Sequence, residues 1–203
     1  LGGNARFIAD ILKPEDIPPL LDKAFQQSLP VAILGGGSNT IVRDEGYDGI
    51  VLRIRIPGIT TISEELNSVT IKIGAGELWD NVVAYAVDLR LSGIEAMSAI
   101  PGTAGAAPVQ NVGAYGQEIA DTLVSLEAYD IETRTFVTLM NEDCRFSYRN
   151  SIFRDDAKGR YVITSITLQL SKNLPSPPFY DALQRYLDEH NITAYTHQAI
   201  RDA

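Results

Sequence analysis

Ile100-Pro101-Gly102-Thr103-Ala104-Gly105-Ala106-Ala107-Pro108-Val109-Gln110-Asn111-Val112-Gly113-Ala114-Tyr115-Gly116 decides how this chain is read. The stretch has neither the period of a helix nor the alternation of a strand, yet it is built almost wholly from small and apolar residues. Gly102, Gly105, Gly113 and Gly116 allow positive φ and close backbone approach, whereas Pro101 and Pro108 fix φ and bar a regular helix. Structureless segments longer than about 12–15 residues are uncommon in compact domains and are usually functional or disordered. The scarcity of charge argues against disorder. The stretch therefore reads as a surface shaped to a ligand; the alternative is a Gly/Ala-rich crossover that packs for its own sake.

Upstream, the apolar strand Val31 to Leu34 runs into Gly35-Gly36-Gly37-Ser38-Asn39, where successive N–H groups can curl into an anion-binding nest. A phosphate suits such a nest; a tight turn without ligand is the alternative. The Rossmann fingerprint fails, because Thr40 stands where its third glycine belongs and no helix follows. No Gly-Lys-Ser/Thr follows any glycine loop, which excludes a P-loop. Val69, Ile71 and Ile73 alternate with Thr70 and Lys72 as a half-buried strand. Gly74-Ala75-Gly76 then leads to a helix with Trp79, Val82, Val83 and Ala86 on one face. This second glycine loop suits packing at least as well as an anion. No Lys or Arg occurs from Leu91 through Thr133, so an anion on the Ile100 to Gly116 stretch is expected to be held by backbone N–H, Gln110, Asn111 or hydroxyls.

At the N-terminus, Ala5 to Ala9 reads as a strand, and Ile17, Leu20, Leu21, Ala24 and Phe25 as the apolar face of a helix. Downstream, Val124, Leu126 and Ala128 form a strand, Ile131 to Arg134 a turn, and Phe136 to Leu139 the hairpin partner. Ile163, Ile166, Leu168 and Leu170 mark a last strand, with Thr and Gln expected outside. Between these lies Cys144 to Arg154, where three arginines alternate with three aromatics. It reads either as a solvated turn or as an arginine clamp for a carboxylate or phosphate. Leu174 to Pro178 suits a linker, Asp181 to Leu187 a short helix, and Thr196 to Ala203 the start of another.

With 203 residues, 45% of them apolar, the chain can build one large or two modest domains. A formal charge of −9 disfavours a general nucleic-acid or anionic-membrane binder. The single cysteine, Cys144, excludes an intrachain disulfide framework and a multi-thiolate zinc site. No metal site is expected. No apolar run approaches the about 18–20 residues of a membrane helix, and a cytoplasmic monomer is expected. The chain opens at Leu1 rather than Met, so its natural start is expected to lie upstream.

Taken together and in order, Gly35 to Asn39, Ile100-Pro101-Gly102 through Gln110-Asn111-Val112-Gly113-Ala114-Tyr115-Gly116, and Phe146-Ser147-Tyr148-Arg149-Asn150-Ser151 resemble the UDP-N-acetylenolpyruvoylglucosamine reductase (MurB) family. The resemblance covers nearly the whole chain but only part of the family's length. It implies an α+β protein with the FAD-binding fold of the vanillyl-alcohol-oxidase and MurB (PCMH-type) superfamily, two α+β subdomains clasping the flavin. The FAD-binding domain would span 1–172, with subdomains of about 1–58 and 59–172. Residues 173–203 would be a linker and the start of a truncated substrate-binding domain. The implied reaction reduces the enolpyruvyl double bond of a UDP-sugar with NADPH in peptidoglycan precursor synthesis, by an NADPH-dependent UDP-N-acetylmuramate dehydrogenase. Noncovalent FAD is expected, since His190 and His197 lie beyond all the glycine loops.

By position, the resemblance assigns Gly35, Gly36, Gly37, Ser38, Asn39 and the range Ile100 to Ala107, foremost Ile100, Pro101, Gly102, Gly105, Ala106 and Ala107, to the FAD pyrophosphate region. Gln110, Asn111, Gly113, Ala114 and Ile163 would surround the rest of the cofactor. Arg149 matches the catalytic arginine, and Tyr115, Tyr148 and Arg149 would meet substrate. Ser147 and Asn150 depart from the glycine and aspartate common beside that arginine. The proton-donating serine and a second acid, a glutamate, would lie in the later domain, leaving this stretch alone incomplete for turnover. A flavin-binding module without reductase activity, or another FAD-dependent oxidoreductase of the same fold, is the alternative.

Overall fold

In the computed structural model, which describes residues 2–203, the strands fall into two main sheets and a separate two-stranded hairpin. The first is parallel, with β1 (Ala5–Ile11) and β2 (Val31–Leu34) flanking β3 (Tyr47–Ile54). Helix α1 (Ile17–Gln26) links β1 to β2 and buries Ile17, Leu21 and Ala24. Phe25, on the expected apolar face, is instead half exposed, because it lies on the wall of a cleft described below.

The second sheet is antiparallel, in the order β4-β5-β10-β8-β9, from β4 (Ile59–Glu64), β5 (Ser68–Gly74), β8 (Leu123–Asp130), β9 (Thr135–Met140) and β10 (Tyr161–Ser171). The central strand β10 pairs Leu168 with Ile71 on one side and Ile166 with Leu126 on the other. Two sequence expectations are corrected here. Thr70 is buried, and so are Thr164, Ser165 and Thr167, whereas only Gln169 of the outward set is exposed. Two register shifts in the β10–β8 ladder interrupt simple alternation. The buried hydroxyls find partners on β8: Thr164 donates to the Glu127 carbonyl at 3.1 Å and Ser165 to the Glu127 carboxylate at 2.9 Å. A polar residue in a central strand is tolerated because its hydrogen bond is made.

Helix α2 (Trp79–Asp88) buries Trp79, Val82, Val83, Ala86 and Val87, the i, i+3, i+4, i+7 pattern of a core-facing stripe. Burying each such aliphatic side chain contributes roughly 1.5–3 kcal/mol. Its first turn also holds the next segment: Trp79 donates its backbone N–H to the Gly102 carbonyl at 3.1 Å and its indole N–H to the Met97 carbonyl at 3.0 Å. The Ile100 to Gly116 stretch is not wholly irregular. Ala104–Gln110 winds as 3₁₀ turns, and a two-rung hairpin joins β6 (Gly113–Ala114) to β7 (Gln117–Glu118) before the single turn α3 (Ile119–Thr122). Pro108 inside it is compatible with 3₁₀ turns but not with a continuing α-helix.

One apolar core runs continuously under both sheets. A small second cluster joins Leu183 and Leu187 of α4 (Asp181–Glu189) and Ile200 of α5 (His197–Asp202) to Ala96. Arg201 on α5 clasps Asp80 with both terminal nitrogens, at 2.8 and 2.9 Å, and donates to the Ser98 hydroxyl at 3.0 Å. No helix among the described residues is long and apolar enough to cross a membrane.

Candidate functional site

β2 ends at Leu34 and delivers Gly35 to Asn39 onto the second glycine stretch. The two backbones nearly touch: a Cβ on Gly35 would sit 2.8 Å from the Thr103 hydroxyl, and Gly36 faces the Gly102 backbone. Glycine allows this approach, because an added side chain would press on these neighbours. Gly105 packs with the same closeness on Ala75, where an added Cβ would lie 2.5 Å from the alanine methyl.

Side chains tie the two loops together. Ser38 donates to the Pro101 carbonyl at 3.3 Å, and Asn39 donates from Nδ2 to the Gln110 Oε1 at 3.0 Å. Among the described residues, nothing accepts the backbone N–H of Gly35, Gly36, Gly37, Ser38 or Asn39. Gly36 to Asn39 are open to solvent, whereas the Thr103 hydroxyl is buried and has no hydrogen-bond partner among the described residues. An unpaired buried hydroxyl is costly and calls for a partner.

These loops border a cleft of ≈ 910 Å³, at the upper end of the about 300–1,000 Å³ typical of small-molecule and cofactor sites. Gly35 to Asn39, Ile100 to Gly102, Gly105 to Ala107, Gln110 and Ile163, all sequence-assigned, line it together. Its far wall is aromatic and aliphatic, from Ile131, Phe153, Tyr161 and Ile163. Donors without partners in the middle and apolar walls beyond suit a dinucleotide with an anionic centre and flat ring systems at its ends. The residues present therefore fit FAD.

Three residues assigned to the cofactor, Asn111, Gly113 and Ala114, stand outside the lining. Asn111, 1% exposed and in a left-handed conformation at φ 46°, braces the site from behind. Its Nδ2 donates to the Ser147 carbonyl and its Oδ1 accepts from the Ala120 N–H, both at 3.1 Å. Gly113 and Ala114 form the rung of the β6–β7 hairpin, whose turn places Tyr115 and Gly116 at φ 49° and 86°. Tyr115 meets the Tyr180 ring edge-on at 6.2 Å.

Arg149 sits at the tip of a tight turn closed by reciprocal backbone bonds between Ser147 and Asn150. It adopts φ 54°, donates from Nη2 to the Gly113 carbonyl at 2.7 Å, and lies over the exposed Tyr148 ring at 5.9 Å. Ser151 pins this segment to the 3₁₀ turns by donating to the Val109 carbonyl at 2.7 Å. Arg149, Tyr115 and Tyr148 are thus outside the cleft lining but attached to it: Arg154, which does line it, donates to the Arg149 carbonyl at 3.0 Å. Beneath the turn, burial and then the Asp143 charge push the Cys144 thiol up to about 12, so it is no nucleophile.

Sequence reasoning missed Phe153, Tyr161 and Lys158 as lining residues, and reached Thr103 only as a member of the Ile100 to Ala107 range. Thr103 is an ordinary member of the stretch until its burial without a partner is seen. Lys158 is far in sequence from every glycine loop, so no local pattern could have placed it. Beyond the cation-free Leu91 to Thr133 stretch, Arg154 and Lys158 bring positive charge to the cleft lining. The Gly74-Ala75-Gly76 loop proves to be a packing loop, with a Cβ on Gly76 meeting the Arg55 backbone at 2.3 Å.

Residues 8–139 match the FAD binding domain family. The UDP-N-acetylenolpyruvoylglucosamine reductase of Ralstonia nicotianae is 43% identical over 202 residues, covering 98% of this chain and 59% of the relative. That of Neisseria gonorrhoeae is 50% identical over 137 residues, 68% of this chain and 39% of the relative. The chain thus spans about three fifths or less of the length of these relatives. Among solved structures, the Thermus caldophilus reductase aligns with a TM-score of 0.63 at 26% identity, covering 91% of this chain and 60% of that one. The 6-hydroxy-D-nicotine oxidase of Arthrobacter nicotinovorans aligns at 0.62 and 22% identity, over 83% and 36%, which speaks to the fold alone.

Proposed function

Since the chain belongs to the FAD binding domain family and is similar across nearly its whole length to UDP-N-acetylenolpyruvoylglucosamine reductases, we propose that it is the flavin-holding part of such a reductase. FAD binds noncovalently in the ≈ 910 Å³ cleft, within a domain of residues 1–172. Residues 173–203 lead into the substrate-binding part. The observation that carries this reading is the row of backbone N–H groups from Gly35 to Asn39 without an acceptor, beside the unpartnered Thr103 hydroxyl.

When bound, FAD supplies the hydride relay between NADPH and the enolpyruvyl double bond of a UDP-sugar, a reaction of peptidoglycan precursor synthesis. The chain's own contribution is to hold and to stabilise. Gly35 to Asn39 and Thr103 donate to the pyrophosphate, the Asn39–Gln110 bond keeps the loops closed, and Ile131, Phe153 and Ile163 exclude water. Negative charge builds on the substrate carboxylate as hydride reaches the double bond, and Arg149 is the guanidinium that stabilises it. One of its N–H groups is fixed by Gly113, which leaves the rest of the fork for the carboxylate. Tyr115 and Tyr148 flank the same approach.

Reconstitution with FAD tests the reading. The flavin absorption band should stay with the protein through gel filtration and be released into the supernatant on acid precipitation; no retained flavin, or flavin bound covalently, overturns it. Turnover is measured on a polypeptide of the relatives' full length, where Arg149→Ala should lower NADPH-dependent reduction by about 10²–10³ with FAD content unchanged.

A further inference from the structure

Arg154 and Lys158 both line the cleft, and no carboxylate among the described residues is paired with either. On the sheets Arg53 pairs with Asp10, Arg160 with Asp130, and Lys72 with Glu127, whereas Arg154 and Lys158, like Arg149 in the adjoining turn, stand without one among the described residues. The chain carries net charge −9, so partners for two more cations were available. The turn's own acids do not serve: Asp156 is taken by Arg145, and neither Asp155 nor Asp156 lines the cleft. The turn is also fixed in place by its own backbone bonds, from Ala157 N–H to the Ile152 carbonyl at 2.9 Å and from Arg160 N–H to the Ala157 carbonyl at 3.0 Å.

We propose that Arg154 and Lys158 form an electrostatic counter-wall for the phosphates of the bound dinucleotide, facing the glycine loops across the cleft. The inference rests on the FAD reading above. The division of labour follows from the chemistry. Backbone N–H groups supply directed hydrogen bonds but no net charge, whereas the pyrophosphate brings two negative charges into a site bordered by apolar residues. Desolvating that charge next to neutral dipoles alone is costly, and cations on the opposite wall offset it. The oxidised flavin, ribose and adenine carry no charge, so the phosphates are the one part of the cofactor that a cation pair can select. The two cations accordingly distinguish flavins by phosphate content.

Titrating the apoprotein with FAD, FMN and riboflavin at several NaCl concentrations tests this. In the unsubstituted protein FAD affinity should fall as salt rises, since long-sided surface cations are screened, while riboflavin affinity stays flat. Lys158→Gln should weaken FAD about tenfold, on the scale of one lost charge-assisted contact. Arg154→Gln/Lys158→Gln should weaken it further and flatten its salt dependence, with riboflavin unaffected. Arg154→Lys, which keeps the charge but changes the bond to the Arg149 carbonyl, should retain most of the affinity. Equal losses for FAD and riboflavin, or salt-independent FAD binding by the unsubstituted protein, overturn the counter-wall while leaving FAD binding standing. No FAD binding at all removes the cofactor reading, and this inference with it.

Discussion

Gly35-Gly36-Gly37 and Gly74-Ala75-Gly76 both follow an apolar strand, and by composition either could cradle an anion. Their backbones have opposite fates. The N–H groups of Gly74, Ala75, Gly76 and Glu77 are all taken, by Gly58, Thr164, Ile56 and Gly74 carbonyls at 2.8–3.1 Å. Those of Gly35 to Asn39 have no acceptor among the described residues. In the first loop glycine lets the chain approach the Gly102–Thr103 segment while its N–H groups stay free; in the second it lets two strands and a turn interlock. Glycine content alone does not make an anion cradle; backbone N–H groups left without acceptors do.

The comparison is most exposed to substitutions that add one methyl group to each loop. Gly76→Ala drives a Cβ into the Arg55 backbone at 2.3 Å, which cannot move without breaking the β3–β4 connection. It should cost about 3 kcal/mol of stability or more, read by urea unfolding of the apoprotein. Gly35→Ala meets a hydroxyl at 2.8 Å instead. Apo stability should fall by about 1 kcal/mol or less, while FAD affinity falls about 10–100-fold because the cradle is obstructed. If both variants mainly lose stability, the two loops do not differ as described.

Thr103→Val sharpens the contrast, since it removes an unpartnered hydroxyl at nearly constant volume. The apoprotein should be unchanged or slightly more stable, while FAD binds about tenfold more weakly by calorimetry. A loss of apo stability would mean the hydroxyl already serves the fold. A smaller difference separates Asn39→Ala from Asn67→Ala. Asn39 bridges the two glycine loops through Gln110, whereas Asn67 is exposed in the β4–β5 turn. FAD should weaken several-fold only in the first, by about 1 kcal/mol.

The smallest effect uses pH to separate cradle from wall. The cradle contains no titrating group, but the wall residues Ile131 and Tyr161 flank a buried ion pair in which Asp130 accepts from Arg160 at 3.0 and 2.6 Å. The Arg160 guanidinium holds the Asp130 carboxyl at about 2, below its ordinary 3.8. A depressed carboxyl contributes stability that is complete above 3.8 and lost as pH falls through about 2. Thermal unfolding should therefore show a stability loss between those values that Asp130→Asn removes, with no corresponding step near neutral pH.

Much of this was legible beforehand. Strand–turn–strand around Ile131 to Arg134, the apolar stripe of α2 and the two glycine loops follow from local patterns, and the assigned loop residues do meet in one cleft. What could not be read depended on partners distant in sequence. Thr70 and Thr164 look solvent-facing until β10 is known to be a central strand. Asn111 looks like a ligand donor until Ser147 and Ala120 are seen to use both ends of its carboxamide. Periodicity reports which face of an element is apolar; it does not report what covers the other face.

The clasp of Arg201 on Asp80 reaches further than the small cluster it stabilises. Asp80 also accepts the N–H of Ala99 at 2.8 Å, and Ala99 holds φ 58° immediately before Ile100-Pro101-Gly102. Through Asp80 the last helix is therefore tied to the residue that leads into one lip of the cleft. Linkage makes any such grip work in both directions: to whatever extent docking of α5 sets that lip in its ligand-ready shape, filling the cleft must tighten α5 by the same free energy. The tail then reports occupancy, and its protection from amide exchange should rise when the cleft is filled.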